Sequence, residues 1–376
     1  MISFRPLSFV SRPFRPLALA AALICAHVMP ALAEIRATDI LGREVVLDAP
    51  ATRIVLGEGR HMAVLGLLHA DPVAKVVGWR GDKALDEPTL AAYRAKFPAI
   101  DAIAQVGSGN RDLSVETIIS RQPDLVVLSL MDQGDPAMER AREQLESAGI
   151  AVAYVDFFAH PQENSIPSLR LLGKLTDGEA RAEEFAEFYE TRLARIRTRL
   201  QDPAIKRPSV FFHVHAAPTN CCSTVGSGVF RDFIQTAGGA NIGSDVVQGV
   251  LGNVSLEFLI GADPDFYIAT GGAHMKARGG LVLGSAVSTE EARASFDALI
   301  GATGFSALTA VEKGRAHGVW HLFNDTPSHI ALIEYLAKAF HPDLFQDVDP
   351  DATLREIETR FSPVSVPGTW WITTAN

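Results

Sequence analysis

Two histidines, His213 and His215, are followed within a few residues by adjacent cysteines, Cys221 and Cys222. If Phe211 to Val214 is a strand, alternation puts both imidazoles on one face, where they could share one metal, a haem or another ligand. A hydrogen-bonded core histidine is the competing reading for each taken singly. The cysteines could close a vicinal disulfide that locks their loop, or stay as thiols with an imidazole nearby as base. Arg60 and Arg80 could grip carboxylates or other anionic oxygens through the planar guanidinium, with surface ion pairing as the plain alternative. Trp79 and Trp320 could stack on a bulky ligand or fill core. His61 and His321 adjoin Arg60 and Trp320 in the chain.

Signatures of catalysis are missing from the sequence: no phosphate-binding loop ending in Gly-Lys-Ser/Thr, no serine elbow, no His-Glu-x-x-His. Gly57-Glu58-Gly59 begins like a dinucleotide turn, but Met62 holds the third glycine position. No zinc-type cysteine spacing occurs, and no spacing announces a compact His and carboxylate cage for a bare metal ion.

The chemistry-bearing residues collect just after runs that read as strands, where open α/β sheets form their ligand crevice. Strands are expected over 53–56, 75–77, 103–106, 152–155, 209–214 and 317–320. Arg60 and His61 follow the first of these, Trp79, Arg80 and Asp82 the second, and Ser108 and Asn110 the third. In the later half the matching places hold His213, His215, Thr270, His274, Trp320 and His321.

An internal repeat sets the organisation. The segment Ser114 to Val127 recurs as Ser255 to Ile268, each with a serine cap, an acid in the first turn, an apolar pair, Pro-Asp and a strand. Proline ends each helix because the residue before it is pushed out of the helical region. Between the copies, Ala182, Phe185, Tyr189, Leu193, Ile196 and Leu200 step by three and four along 179–200, the pattern of one long helix. At 1.5 Å per residue it is roughly 33 Å long, enough to run along two small lobes as a stiff connector. The expected fold is α/β, with two lobes on mainly parallel sheets bridged by that single helix and a ligand cleft between them. The boundaries are a first lobe over 34–172, a bridging helix over 178–201 and a second lobe over 207–365, with an irregular tail beyond Pro363.

Residues 1–33 read differently. Arg5, Arg12 and Arg15 precede an apolar run from Leu17 to Met29, and Ala31-Leu32-Ala33 follows with small residues where a signal peptidase cuts. An export signal cleaved after Ala33 is expected, and Ile24 before Cys25 argues against a lipoprotein signal. Its removal takes the net charge from −10 to −13, because residues 1–33 hold those three arginines and no acid. So acidic a chain does not suit a nucleic-acid binder, which must neutralise phosphates.

With Arg53-Ile54-Val55, Val76-Val77-Gly78, Val106-Gly107-Ser108, both Ser-x-Glu to Pro-Asp units, Ala237-Gly238-Gly239-Ala240-Asn241 and Val311-Glu312-Lys313-Gly314-Arg315 in this order, the chain resembles the periplasmic substrate-binding proteins of ABC importers for iron-siderophores, haem or vitamin B12. The resemblance implies a periplasmic monomer without intrinsic cofactor or catalysis. Such a protein carries a ferric chelate or haem as transported ligand to a membrane permease. Its ligand residues are expected to be Arg60, His61, Trp79, Arg80, His213, His215, Trp320 and His321. A ferric siderophore is the leading cargo, with haem or cobalamin next; an exported Cys/His enzyme is the alternative from another class. The family docks its permease through an acid on the first helix of each lobe. Ala63 and Gln235 hold the matching positions here, so Glu58 and Asp232 are the expected substitutes.

Overall fold

Apolar runs that no polar face interrupts form strands covered on both sides. The computed structural model describes residues 1–7, 34–81, 85–107, 112–219 and 221–374; most of the export-signal region with Cys25, and Asp82, Ser108 and Asn110, lie outside them. After a hairpin of β1 (Ile35–Thr38) and β2 (Glu44–Leu47), five strands form the first sheet. They are β3 (Ile54–Leu56), β4 (Val76–Trp79), β5 (Ala104–Gln105), β6 (Leu125–Ser129) and β7 (Ala151–Val155), all parallel, in the order β5-β4-β3-β6-β7. Helices α1 (His61–Leu68), α2 (Glu87–Lys96), α3 (Val115–Ser120), α4 (Pro136–Ser147) and α5 (Pro161–Thr176) follow the strands.

One helix, α6 (Glu179–Arg199), leads to the second lobe. Its Ala182, Phe185, Phe188 and Tyr189 lie in the first lobe's core, whereas Ile196 belongs to the core of the second. The helix is therefore part of both lobes. The second sheet takes β8 (Ser209–His213), β9 (Ser223–Val225), β10 (Ala240–Asn241), β11 (Leu251–Asn253), β12 (Phe266–Gly271), β14 (Ala316–Trp320) and β16 (Trp371–Thr373). Their order is β11-β9-β8-β12-β14-β16, with β10 beside β8; β13 (Gly284–Ser285) and β15 (Gly368–Thr369) pair separately. β8, β10, β12 and β14 run parallel, and antiparallel strands close both edges. The helices here are α7 (Val229–Thr236), α8 (Leu256–Ala262), α9 (Thr289–Ile300), α10 (Thr309–Glu312), α11 (His329–Phe340) and α12 (Pro350–Glu356).

The repeated unit folds as its local chemistry dictates. Ser114 caps α3 by accepting from Thr117 N, and Ser255 caps α8 by accepting from Phe258 N. The aspartate of each Pro-Asp pins the start of a neighbouring strand: Asp124 accepts from the amides of Thr52 and Arg53 at 2.8 and 2.9 Å, and Asp265 from that of Ser209 at 2.9 Å. The tail departs from expectation. Instead of running irregularly, it pairs as β16 along β14, because Trp371 stacks on Tyr335 at 4.8 Å and on Phe323 at 5.8 Å and so covers apolar area.

Candidate functional site

Residues just beyond the strands of one sheet touch those beyond the other. Arg60, on the turn between β3 and α1, donates to Asp325, five residues past β14, at 2.6 Å. Phe158, beyond β7, lies under the same guanidinium at 4.6 Å. Thr89 of α2 and Ser285 of β13 meet at 3.2 Å. A cavity of about 160 Å³ lies between the lobes, lined by Arg60, Leu85, Thr89, Trp320, Phe323 and Asp325 among others.

On the second lobe's side three histidines meet beyond the ends of β8, β12 and β14. His274 Nε2 lies 3.0 Å from His215 Nδ1, and the His215 and His321 rings are 3.9 Å apart. Thr270 ties the group together: its Oγ1 accepts from the His215 amide at 3.0 Å and is also 3.0 Å from His321 Nδ1. The backbone of His215 is in the left-handed region at φ 49°, a conformation uncommon outside glycine, and it turns the ring away from the strand register. Burial lowers His215 to about 4, assisted by His274 and Arg278, and lowers His321 to about 3, assisted by its two neighbours. His274 is lowered also, by burial first and then by Arg278. All three are therefore neutral near pH 7 and carry nitrogen lone pairs. Among the described residues no group of three or more His, Cys, Asp or Glu side chains is arranged to hold a metal ion.

The other expected site residues are placed unevenly. Arg60 and Trp320 border the inter-lobe cavity, but Arg60 also donates to the fully buried Glu58 at 2.6 Å. Arg80 is turned inward, 1% exposed, with both terminal nitrogens on Asp132 Oδ1 at 3.1 and 3.2 Å. Its charge is matched inside the lobe, which takes it out of the cleft. Trp79 is 5% exposed in the first core, where its indole is covered by aliphatics. His61 opens α1 buried against Phe157, with Glu58 at 3.6 Å. His213 does not share a face with His215 at a common ligand: it is fully buried, bonded to Tyr267 OH at 2.6 Å, because β8 ends there and His215 leaves the strand.

Glu58 cannot meet a permease, since it has no exposed surface. Asp232, in the first turn of α7, is a third exposed and bonded by Arg231. Cys221 and Cys222 are joined by a disulfide, and the Cys222 backbone exchanges hydrogen bonds with Val254, both 3.1 Å. The pair locks its loop beside β11 and offers no thiolate to an enzymatic reading. Sequence reasoning did not select His274, Asp132 or Asp325 as site residues; the position of His274 after a strand was the only signal for it.

Paired α/β lobes that share one long helix and bring their strand ends together define a solute-binding protein. The chain belongs to the family described as periplasmic binding protein, whose family model matches residues 62–317. Members serve ABC importers and act with their permeases. Among solved structures, the chain resembles the TroA-like periplasmic binding protein FepB from Veillonella parvula, with TM-score 0.84 and 27% identity over 90% of this chain and 99% of that one. It shares its fold with the molybdate periplasmic binding protein MolA of a Haemophilus influenzae ABC transporter, at TM-score 0.64 and 18% identity over 89% and 99% of the two chains. A periplasmic heme-binding protein from Pseudomonas aeruginosa matches at TM-score 0.51 and 18% identity over 78% and 93%. No curated protein sequence matches. Among the described residues no helix is long and apolar enough to cross a membrane.

Proposed function

We propose that this protein captures an iron chelate in the cleft between its lobes and delivers it to the permease of an ABC importer. Fold relatives carry molybdate in one case and haem in another, so the cleft residues, not the fold, select the cargo. The observation that carries the reading is the cluster of three neutral histidines at adjacent strand ends, beside an inter-lobe cavity bordered by Arg60 and Trp320. Because Arg60 and Arg80 are each engaged with carboxylates, the attraction for an anionic siderophore rests less on net positive charge than the sequence suggested. Haem is the second reading, favoured by imidazoles able to ligate iron and by Phe230, 5.2 Å from His321.

Trp320 reports on the cleft. Titrating the exported chain with ferric siderophores of different chemistry, haemin and cobalamin should give saturable quenching of tryptophan fluorescence by one class, with the ligand recovered unchanged. Silence towards every chelate would sink the cargo assignment.

A further inference from the structure

We infer that His215 Nδ1 and His274 Nε2 are a pair of ligands for a metal centre that arrives with the rest of its coordination sphere filled by a small chelator and two adjacent positions open. This rests on the reading of the cleft as the cargo site and names the cargo's coordination chemistry.

The first argument is distance. Two imidazole nitrogens bound to one metal at about 2.1 Å and at right angles lie about 3.0 Å apart. His215 Nδ1 and His274 Nε2 are 3.0 Å apart already. The hydrogen bond between them occupies the same span. Coordination replaces it: the proton now between the rings moves to the far nitrogen of the ring that carries it, both rings swing their lone pairs to one side, and the pair stays uncharged.

The second argument is the support behind one ligand. Metal-binding imidazoles are oriented by outer partners. The His215 amide is bonded to Thr270, its backbone is left-handed at φ 49°, and the His321 ring lies against it at 3.9 Å, itself held by Thr270 Oγ1. His274, in contrast, is exposed and free to rotate into place.

The third argument sets the class of cargo. Among the described residues no third His, Cys, Asp or Glu joins the pair to make a cation cage. Two protein bonds hold a bare aquo ion loosely, so a cargo that brings its own donors fits better. Imidazole suits iron and the late first-row divalent metals. A hexadentate siderophore leaves no position open, and a porphyrin leaves two on opposite faces; neither matches an adjacent pair.

Three cobalt and iron probes test this, read by visible ligand-field absorption and calorimetry. They are Co²⁺ alone, Co²⁺ with one equivalent of nitrilotriacetate, which leaves two adjacent positions open, and a ferric trishydroxamate with none open. The nitrilotriacetate complex should bind with a changed cobalt spectrum and more tightly than bare Co²⁺. His215→Ala and His274→Ala should each weaken it by about tenfold or more, the least that loss of even an orienting partner costs. Unchanged melting temperatures would show that both variants fold. No binding of the nitrilotriacetate complex, equal affinity in both variants, or tighter binding of bare Co²⁺ overturns the inference. If the trishydroxamate quenches tryptophan equally in wild type and variants, the ligand pair falls while the iron-chelate cleft stands. A haemin Soret shift lost in His215→Ala but not in His274→Ala would replace the pair by one axial ligand.

Discussion

Arg60 of the first lobe holds Asp325 of the second at 2.6 Å while donating to Glu58 within its own lobe at the same distance. The three form one network, nearly closed to solvent, with the cation between two carboxylates. Removing either acid has a different consequence. Asp325→Ala leaves Arg60 paired with Glu58, so we expect about 1 kcal/mol lost from unfolding and a looser lobe contact. Glu58→Gln takes away the fully buried carboxylate and should cost about 3 kcal/mol. Urea unfolding of the two variants checks the order, and a larger loss in Asp325→Ala would contradict it.

Arg80 and Asp132 are buried together, 1% exposed for each residue, and so belong to the stability of the first lobe. Arg80→Ala should lower the unfolding free energy by about 3 kcal/mol or more, because Asp132 is left without its cation. A normal denaturation midpoint combined with lost chelate affinity would return Arg80 to the ligand site.

His329 titrates against the fold. It is fully buried, with Nε2 2.7 Å from Tyr189 OH and Nδ1 2.8 Å from Thr326 O. Burial lowers it to about 4, opposed by the bond to Thr326 O. An unfolded histidine takes its proton near 6.5, so between about 6.5 and 4 the unfolded chain binds more protons and stability falls with pH. Stability is complete above that window. His329 alone should account for about 3 kcal/mol across it, at 1.36 kcal/mol per unit. Denaturant unfolding at pH 7 and pH 5 should show the decline, and His329→Gln should flatten it.

Trp371 closes the second sheet through stacking on Tyr335 at 4.8 Å and a strand pairing with β14. Being half-buried, it should contribute about 2 kcal/mol, and Trp371→Ala should lower the melting temperature without changing cargo affinity. An unaltered melting curve would mean the tail is dispensable.

Much of the architecture is legible because its causes are local. Ser114 and Ser255 cap helices with their own side chains, Pro123 and Pro264 stop them, and the aliphatic runs behind can only be covered strands. The apolar spacing from Ala182 to Leu200 needs no partner to be read as a helix, and that helix is found over Glu179–Arg199. The antiparallel edge strands and the returning tail were not legible, since an edge pairing depends on which distant strand stands next to it.

The sequence by itself determined that the chain folds as two α/β lobes on a shared helix, and that its chemistry gathers at strand ends. Tertiary structure decided which of those residues face a ligand. Arg80 and Asp132 are 52 positions apart and Arg60 and Asp325 265 apart, so no pattern along the chain announces that these charges are matched. His213 and His215 share a face only while the strand lasts. It ends between them, one ring goes to Tyr267 in the core, and the other meets His274 and His321 from two other strands. A side chain's direction past a strand end is set by a single backbone dihedral and by neighbours brought there from far along the chain, and composition and spacing record neither.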